Sequence, residues 1–149
     1  MTEALHSTPT RSESELVEPL ICWLRARRQL RDDALLVEEF PWHGRRVDLA
    51  LLTASGVSSA YELKLAHNRR VIEQSYLNTV SFDRTYLVTA TRLMEPLFKQ
   101  AATLGVGIIH VSLSTGRVSQ LLASRRATIH PELRRKLRQA LVRRDGASV

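Results

Sequence analysis

The sequence predicts an α/β protein, a mixed β-sheet with helices on its faces. Three features of the 149 residues predict it. Apolar runs with strand-like alternation fall at 34–40, 46–52 and 60–65, divided by turn-rich segments. Later strand-like runs at 85–89 and 107–111 each follow a segment of helical periodicity. The resulting order is helix, three strands, helix, strand, helix, strand. It puts an antiparallel meander first and helical crossovers after it, which mixes both strand senses in one sheet.

Residues 1–11 are polar and are expected to form a disordered tail, ahead of a core domain over 12–123. A helix is expected from Ser12 to Arg28, with Leu16, Val17, Leu20, Ile21 and Leu24 at helical spacing. Ser12 followed by Glu15 fits a capping box, and Pro19 is tolerable only within the first two turns. Pro41-Trp42-His43-Gly44 divides the first two strands, and the Ser- and Gly-containing stretch 53–59 divides the next two. Helices are expected over 69–80 and 93–104, with a last strand at 117–122 after Thr115-Gly116. Pro131 suits the first position of a terminal helix reaching Arg144, so that 124–149 forms a basic C-terminal helix and tail.

Hydrophobic content of 44% and charged content of 25% are those of an ordinary globular domain. No apolar run approaches the roughly 18–20 residues of a membrane span, and the first residues show no signal-peptide pattern. Cys22 is the only cysteine, which excludes an internal disulfide and a cysteine-rich zinc site. A reducing cytoplasm is the expected setting. The net charge of +7 points to an anionic partner, most often nucleic acid. From Ser124 onward eight Lys/Arg face two acids, a local charge of +6. The bland alternative is a solvated helix that keeps the protein soluble.

The chemistry sits on two strands. An aspartate in the run Arg45-Arg46-Val47-Asp48-Leu49-Ala50-Leu51-Leu52 is costly unless something pairs with it. In Ala60-Tyr61-Glu62-Leu63-Lys64-Leu65, alternation sends Glu62 and Lys64 to one face and Tyr61, Leu63 and Leu65 to the other. A hairpin brings Asp48 near Glu62. Two converging carboxylates make a hard-oxygen site for Mg²⁺ or Mn²⁺. The adjacent Lys64 can orient the attacking water and neutralise charge developing on phosphorus. The alternative is a buried carboxylate–lysine pair without chemistry.

Val47-Asp48, a turn, then Glu62-Leu63-Lys64 resembles the signature of the PD-(D/E)XK nuclease superfamily, with Val47 where the signature's name has proline. The element order resembles that superfamily's restriction-endonuclease-like core, and the resemblance covers 12–111. It implies Asp48 and Glu62 as metal ligands with the backbone carbonyl of Leu63 beside them, and Lys64 as the water-positioning base. It also implies a glutamate on the first helix. At about 100° per residue, Leu16, Val17, Leu20 and Leu24 fall within about 60° of Glu13, whereas Glu15 and Glu18 fall outside. Glu13-Ser14-Glu15-Leu16 resembles the opening of archaeal Holliday-junction resolvases, which selects Glu13 and leaves Glu15 to the cap. Some subfamilies place a glutamine where Gln74 stands.

Arg69 and Arg70, with Arg125, Arg126, Arg134, Arg135, Lys136 and Arg138, are the expected contacts to the nucleic-acid backbone. His43, His67, Trp23, Trp42 and His110 are weaker candidates, each with an ordinary loop or core role, and Glu39 is a reserve ligand. The expected function is Mg²⁺-dependent hydrolysis of phosphodiester bonds in DNA, in repair, recombination or defence. No DNA-reading motif is present, so specificity is expected from loops, a homodimer or a partner protein. The rivals are a catalytically silent nuclease-fold module that binds nucleic acid or a partner, and an RNase.

Overall fold

The structure, a computed structural model, describes residues 12–66 and 68–147. The expected tail over 1–11 and His67 lie outside the described residues. One six-stranded sheet runs β1 (Leu35–Trp42), β2 (Arg45–Leu52), β3 (Ser58–Lys64), β4 (Arg84–Thr89), β5 (Gly107–Val111) and β6 (Val118–Leu122), in that spatial order. The β1–β2, β2–β3 and β5–β6 pairs are antiparallel; β3–β4 and β4–β5 are parallel. Helices α1 (Val17–Ala26), α2 (Arg69–Tyr76), α3 (Glu95–Leu104) and α4 (Pro131–Ala147) flank it. The mixed sheet expected from the sequence is therefore the observed one. Among the described residues no helix is long and apolar enough to cross a membrane.

Local chemistry sets the boundaries. Ser12 and Glu15 form the reciprocal capping box, but they cap a 3-10 turn, Glu13–Leu16, rather than an α-helix. Pro19 is the third residue of α1, where its missing N–H would have no intrahelical partner in any case. The first hairpin turns at His43-Gly44, both at positive φ (50° and 76°), the backbone of a two-residue type I′ turn. Strand β1 therefore continues through Pro41 and Trp42, which the sequence suggested as turn. The expected helix over 69–80 is split into α2 and a 3-10 turn, Leu77–Val80.

Side chains divide by face. Leu16, Leu20 and Leu24 pack on one face with Leu49, Leu51, Tyr61, Leu63, Tyr86 and Val88. On the second face α4 covers β1 and β2 through Leu137 and Leu141, against Phe40, Trp42, Ala50 and Ala60. There α2 and α3 cover the parallel strands through Ile72 and Ala101, against Leu87, Val106 and Ile108. The basic C-terminal helix is thus part of the core. Tyr86 lies opposite Gly107, and a β-carbon added at that glycine would stand 2.6 Å from the tyrosine ring.

Asp83 holds α4 to the sheet. It is 1% exposed and accepts the Ser58 N–H at 2.8 Å, and its other oxygen meets Arg134 Nη2 at 2.6 Å. Burial alone would raise its pKa, but the Ser58 N–H and the Arg134 guanidinium outweigh burial and hold the carboxyl below the usual range. A carboxylate with a depressed folded-state pKa contributes stability above its ordinary pKa of about 4, and loses it as pH falls through the lower folded value. Arg134, expected from sequence as a backbone contact, is therefore a structural partner. Arg134→Ala is expected to cost about 2–4 kcal/mol at neutral pH, because it strands a buried carboxylate. Lys136→Ala, at an exposed position, should stay within about 0.5 kcal/mol. Urea unfolding of the two variants checks the difference, which should shrink in acid.

Candidate active site

The site exists because two strands part. The β2–β3 ladder runs from Leu52↔Ser58 to Leu49↔Tyr61 and stops there. One residue beyond, Asp48 Oδ2 accepts the N–H of Leu63 at 2.8 Å, so the side chain satisfies a donor that would otherwise have met β2 backbone. The β1–β2 register skips the same level, since Glu39, opposite Asp48, has φ of 51°. Val37 and Phe40 face one cluster although three residues apart, as do Val47 and Ala50. The alternation of side chains slips on both strands at this point, which turns Asp48 into the gap beside β3.

The gap opens as a cleft of about 430 Å³. Strand residues Arg45, Arg46, Asp48, Glu62 and Lys64 line it, with Val71, Gln74, Ser75 and Leu77 from α2 and the turn after it. It lies on the second face, between the apolar cluster under α4 and the one under α2 and α3. Glu62 Oε1 accepts from Asn78 Nδ2 at 3.0 Å, and Asn78 Oδ1 accepts from Arg45 Nη2 at 2.6 Å. Asn78 is fully buried, so this relay fixes the Glu62 carboxyl from behind. Burial, and then the Asp48 carboxylate beside it, push the Glu62 pKa up to about 7; the Asn78 amide and Arg45 offset only part of this.

Each carboxylate keeps one oxygen outside these two hydrogen bonds. The donor set of two carboxylates with the Leu63 carbonyl on the same strand edge is one a hard cation accepts, and Mg²⁺ completes such a shell with water. The mutual repulsion of Asp48 and Glu62 would favour a cation between them. Among the described residues, no group of three or more His, Cys, Asp or Glu side chains is gathered to hold a metal.

The structure brings Asp48, Glu62, Leu63, Lys64 and Gln74 together and leaves the other expected site residues elsewhere. Glu13 is exposed and does not line the cleft. In the 3-10 turn it shares a face with Leu16, three residues on, but it stands one turn outward, and burial of this face begins only at Leu16. Glu39 is exposed, 3.7 Å from Arg46. Arg69 sits 3.8 Å from Glu73, and Arg70 is exposed. Arg125 donates to Thr103 O at 3.2 Å and Arg138 to Gly56 O at 2.9 Å, so both tie loops down. Arg135 pairs with Glu132, and Arg126 and Lys136 are exposed. None of these cations lines the cleft; its positive groups are Arg45, Arg46 and Lys64. The adjacent pair Arg45-Arg46 just before Asp48 was a signal for two of them. Asn78 had none, being 16 residues from Glu62 on another element.

Residues 6–144 match the family described as bacteriophage P4 protein cII. No curated protein matches the sequence. In three dimensions the chain is similar to the SPO1766 protein of unknown function from Silicibacter pomeroyi, with TM-score 0.70, 16% identity, and 95% of this chain and 90% of that chain covered. It is also similar to a repair endonuclease from Pyrococcus abyssi, with TM-score 0.50 and 19% identity, over 72% of this chain and 50% of that one. The fold is restriction-endonuclease-like.

A carboxyl whose folded-state pKa lies above its usual 4.5 opposes folding once it must ionise. The penalty is absent below about 4.5, grows as pH rises, and is complete above about 7. In metal-free buffer Glu62→Gln, which keeps the acceptor for Asn78, should match the wild type at pH 4.5. It should exceed it at pH 8 by on the order of 2 kcal/mol. Denaturant midpoints in EDTA at the two pH values check this; a pH-independent difference would contradict it.

Proposed function

The chain belongs to the bacteriophage P4 protein cII family, and we propose that it is a metal-dependent nuclease of the PD-(D/E)XK superfamily that hydrolyses phosphodiester bonds in DNA. The observation that carries the reading is the convergence of Asp48 and Glu62 on one cleft at a parted strand pair, with Lys64 two residues on and arginines as the remaining charges.

Asp48 and Glu62 would hold Mg²⁺ or Mn²⁺, with the Leu63 carbonyl as a third oxygen. A bound divalent cation would supply an activated water and neutralise charge on the phosphate. Lys64 would orient that water and take up a share of the developing negative charge. Arg45 and Arg46 would meet the phosphates on either side of the scissile bond as bidentate donors. Asn78 acts through Glu62 as a positioning residue, since its amide sets which carboxylate oxygen is turned outward. Gln74, exposed on α2 at the rim, would hydrogen-bond the sugar-phosphate backbone. A nucleic acid is favoured by the net charge of +7 and by Arg45, Arg46 and Lys64 in the cleft, neither of which depends on a base-reading motif.

Purified protein incubated with linear, nicked, branched and single-stranded DNA, and with RNA, in Mn²⁺ or EDTA tests the reading. Cleavage of DNA in Mn²⁺ alone is expected. Asp48→Ala, Glu62→Ala and Lys64→Ala should each lower the rate by about 10²-fold or more. Asn78→Ala should lower it less, and Glu13→Gln should cut at the wild-type rate. Binding without cleavage in Mn²⁺ would identify a silent nuclease-fold module, and cleavage of RNA alone an RNase.

A further inference from the structure

A larger cavity lies on the other face of the sheet, at the opposite end of the parallel strands from the carboxylates. Ser59 and Arg84, which pair at the start of β3 and β4, line it, whereas Glu62 and Lys64 lie toward the far end of β3. Its volume is about 640 Å³, within the range of small-molecule sites, and it shares no lining residue with the carboxylate cleft.

The walls divide by chemistry. The floor is apolar and aromatic: Leu51 and Val57 beside Tyr61 and Tyr86, whose rings stack at 5.2 Å and 9°. The rim is cationic: Arg27, Arg28, Arg31 and Arg84 against one acid, Asp33. Two of these arginines are held. Arg84 Nη1 donates to Ser124 O at 2.9 Å, and the Arg27 guanidinium lies 4.4 Å from the Trp23 ring. Arg28 ends α1 at φ 63°, the left-handed position where glycine is the unstrained choice. Gln29 and Gln120 add uncharged donors and acceptors.

We propose that this cavity binds a nucleoside phosphate, either free or as the phosphorylated end of a single strand, with the base over the apolar floor and the phosphates against the arginine rim. A bare phosphate would leave the floor uncovered. A hydrocarbon chain would set Gln29, Gln120 and the arginines against groups that cannot hydrogen-bond. A planar heterocycle carrying phosphates satisfies both walls. The inference does not rest on the nuclease reading, because neither Asp48 nor Glu62 takes part.

Titration with N-methylanthraniloyl-ATP in EDTA tests it, with metal chemistry silenced. Saturable binding is expected, displaced by unlabelled ATP and about tenfold less well by inorganic tripolyphosphate. Arg28→Gly removes a charge and also relieves backbone strain, so it should raise Tm while weakening binding about threefold or more. Adding Arg31→Glu should bring the loss to about tenfold or more, and Asp48→Asn should bind as the wild type does. Displacement by 5′-phosphorylated but not 5′-hydroxyl dT octamer assigns a strand end as the ligand; displacement by ATP alone assigns a free nucleotide. Absence of saturable binding, equal displacement by tripolyphosphate, or full affinity in Arg28→Gly overturns the proposal.

Discussion

The early end of the β2–β3 ladder is the constraint on which the site depends. Continued pairing past Leu49↔Tyr61 would have used the Leu63 N–H in a backbone bond and closed the gap that the cleft occupies. Asp48 takes over that donor, so the strands part without leaving a buried N–H unpaired. The same hydrogen bond fixes the Asp48 carboxylate beside Glu62. One side chain thereby ends the ladder, satisfies the freed backbone and supplies half of the acidic pair. The positive φ of Glu39 on the neighbouring strand lets the hairpin follow the slip without losing the core contacts of Phe40 and Trp42.

The rest of the fold keeps this opening in place. On one face α1 packs Leu16, Leu20 and Leu24 against the sheet. On the other face the covering is in two parts, α4 over the hairpin and α2 with α3 over the parallel strands, and the carboxylates lie in the seam. The turn after α2 crosses that seam. Its Asn78 reaches Glu62, and Trp42 Nε1 donates to Ser81 Oγ at 2.9 Å, which ties the first hairpin to the same turn. Glu62 is thus held by an element that also anchors β1, so movement of the hairpin and movement of the acid are linked.

Much of this was legible in the sequence because period-two alternation is a local signal. Residues 46–52 and 60–65 read as strands, and the alternation put Glu62 and Lys64 on one face and Asp48 within reach through the hairpin. Less legible were the extent of burial and tertiary pairing. Glu13 shares the face of Leu16, but helical phase says nothing of how far along the chain that face is covered, and the cover starts at Leu16. The cations of the C-terminal helix suggested a nucleic-acid tail, yet Leu133, Leu137 and Leu141 at four-residue spacing carried the opposite message, a face that packs. Arg134, Arg125 and Arg138 then serve as structural ties, because a helix on the core brings its arginines within reach of Asp83 and loop carbonyls. Asn78 and Arg45 could not be joined from sequence, since 33 residues separate them and only the folded seam brings their side chains together.

Two carboxylates, the buried Asp83 and the half-buried Glu62, show what the fold does when charge is structural and when it is not. Asp83 receives a backbone N–H, the Ser58 hydroxyl and the Arg134 guanidinium, and its pKa is held down. Glu62 has an arginine within electrostatic range, but Arg45 gives its Nη2 to the Asn78 oxygen, and a neutral amide is what hydrogen-bonds the acid. Asp48 on its other side adds repulsion, and the pKa rises to about 7. The chain therefore contains the means to neutralise a buried carboxylate and applies them fully at Asp83. At Glu62 it stops one step short, leaving two acids side by side in the cleft with the Glu62 pKa raised. That arrangement lowers the stability of the fold above neutral pH, and a cation bound between the acids is the addition that would reverse the cost.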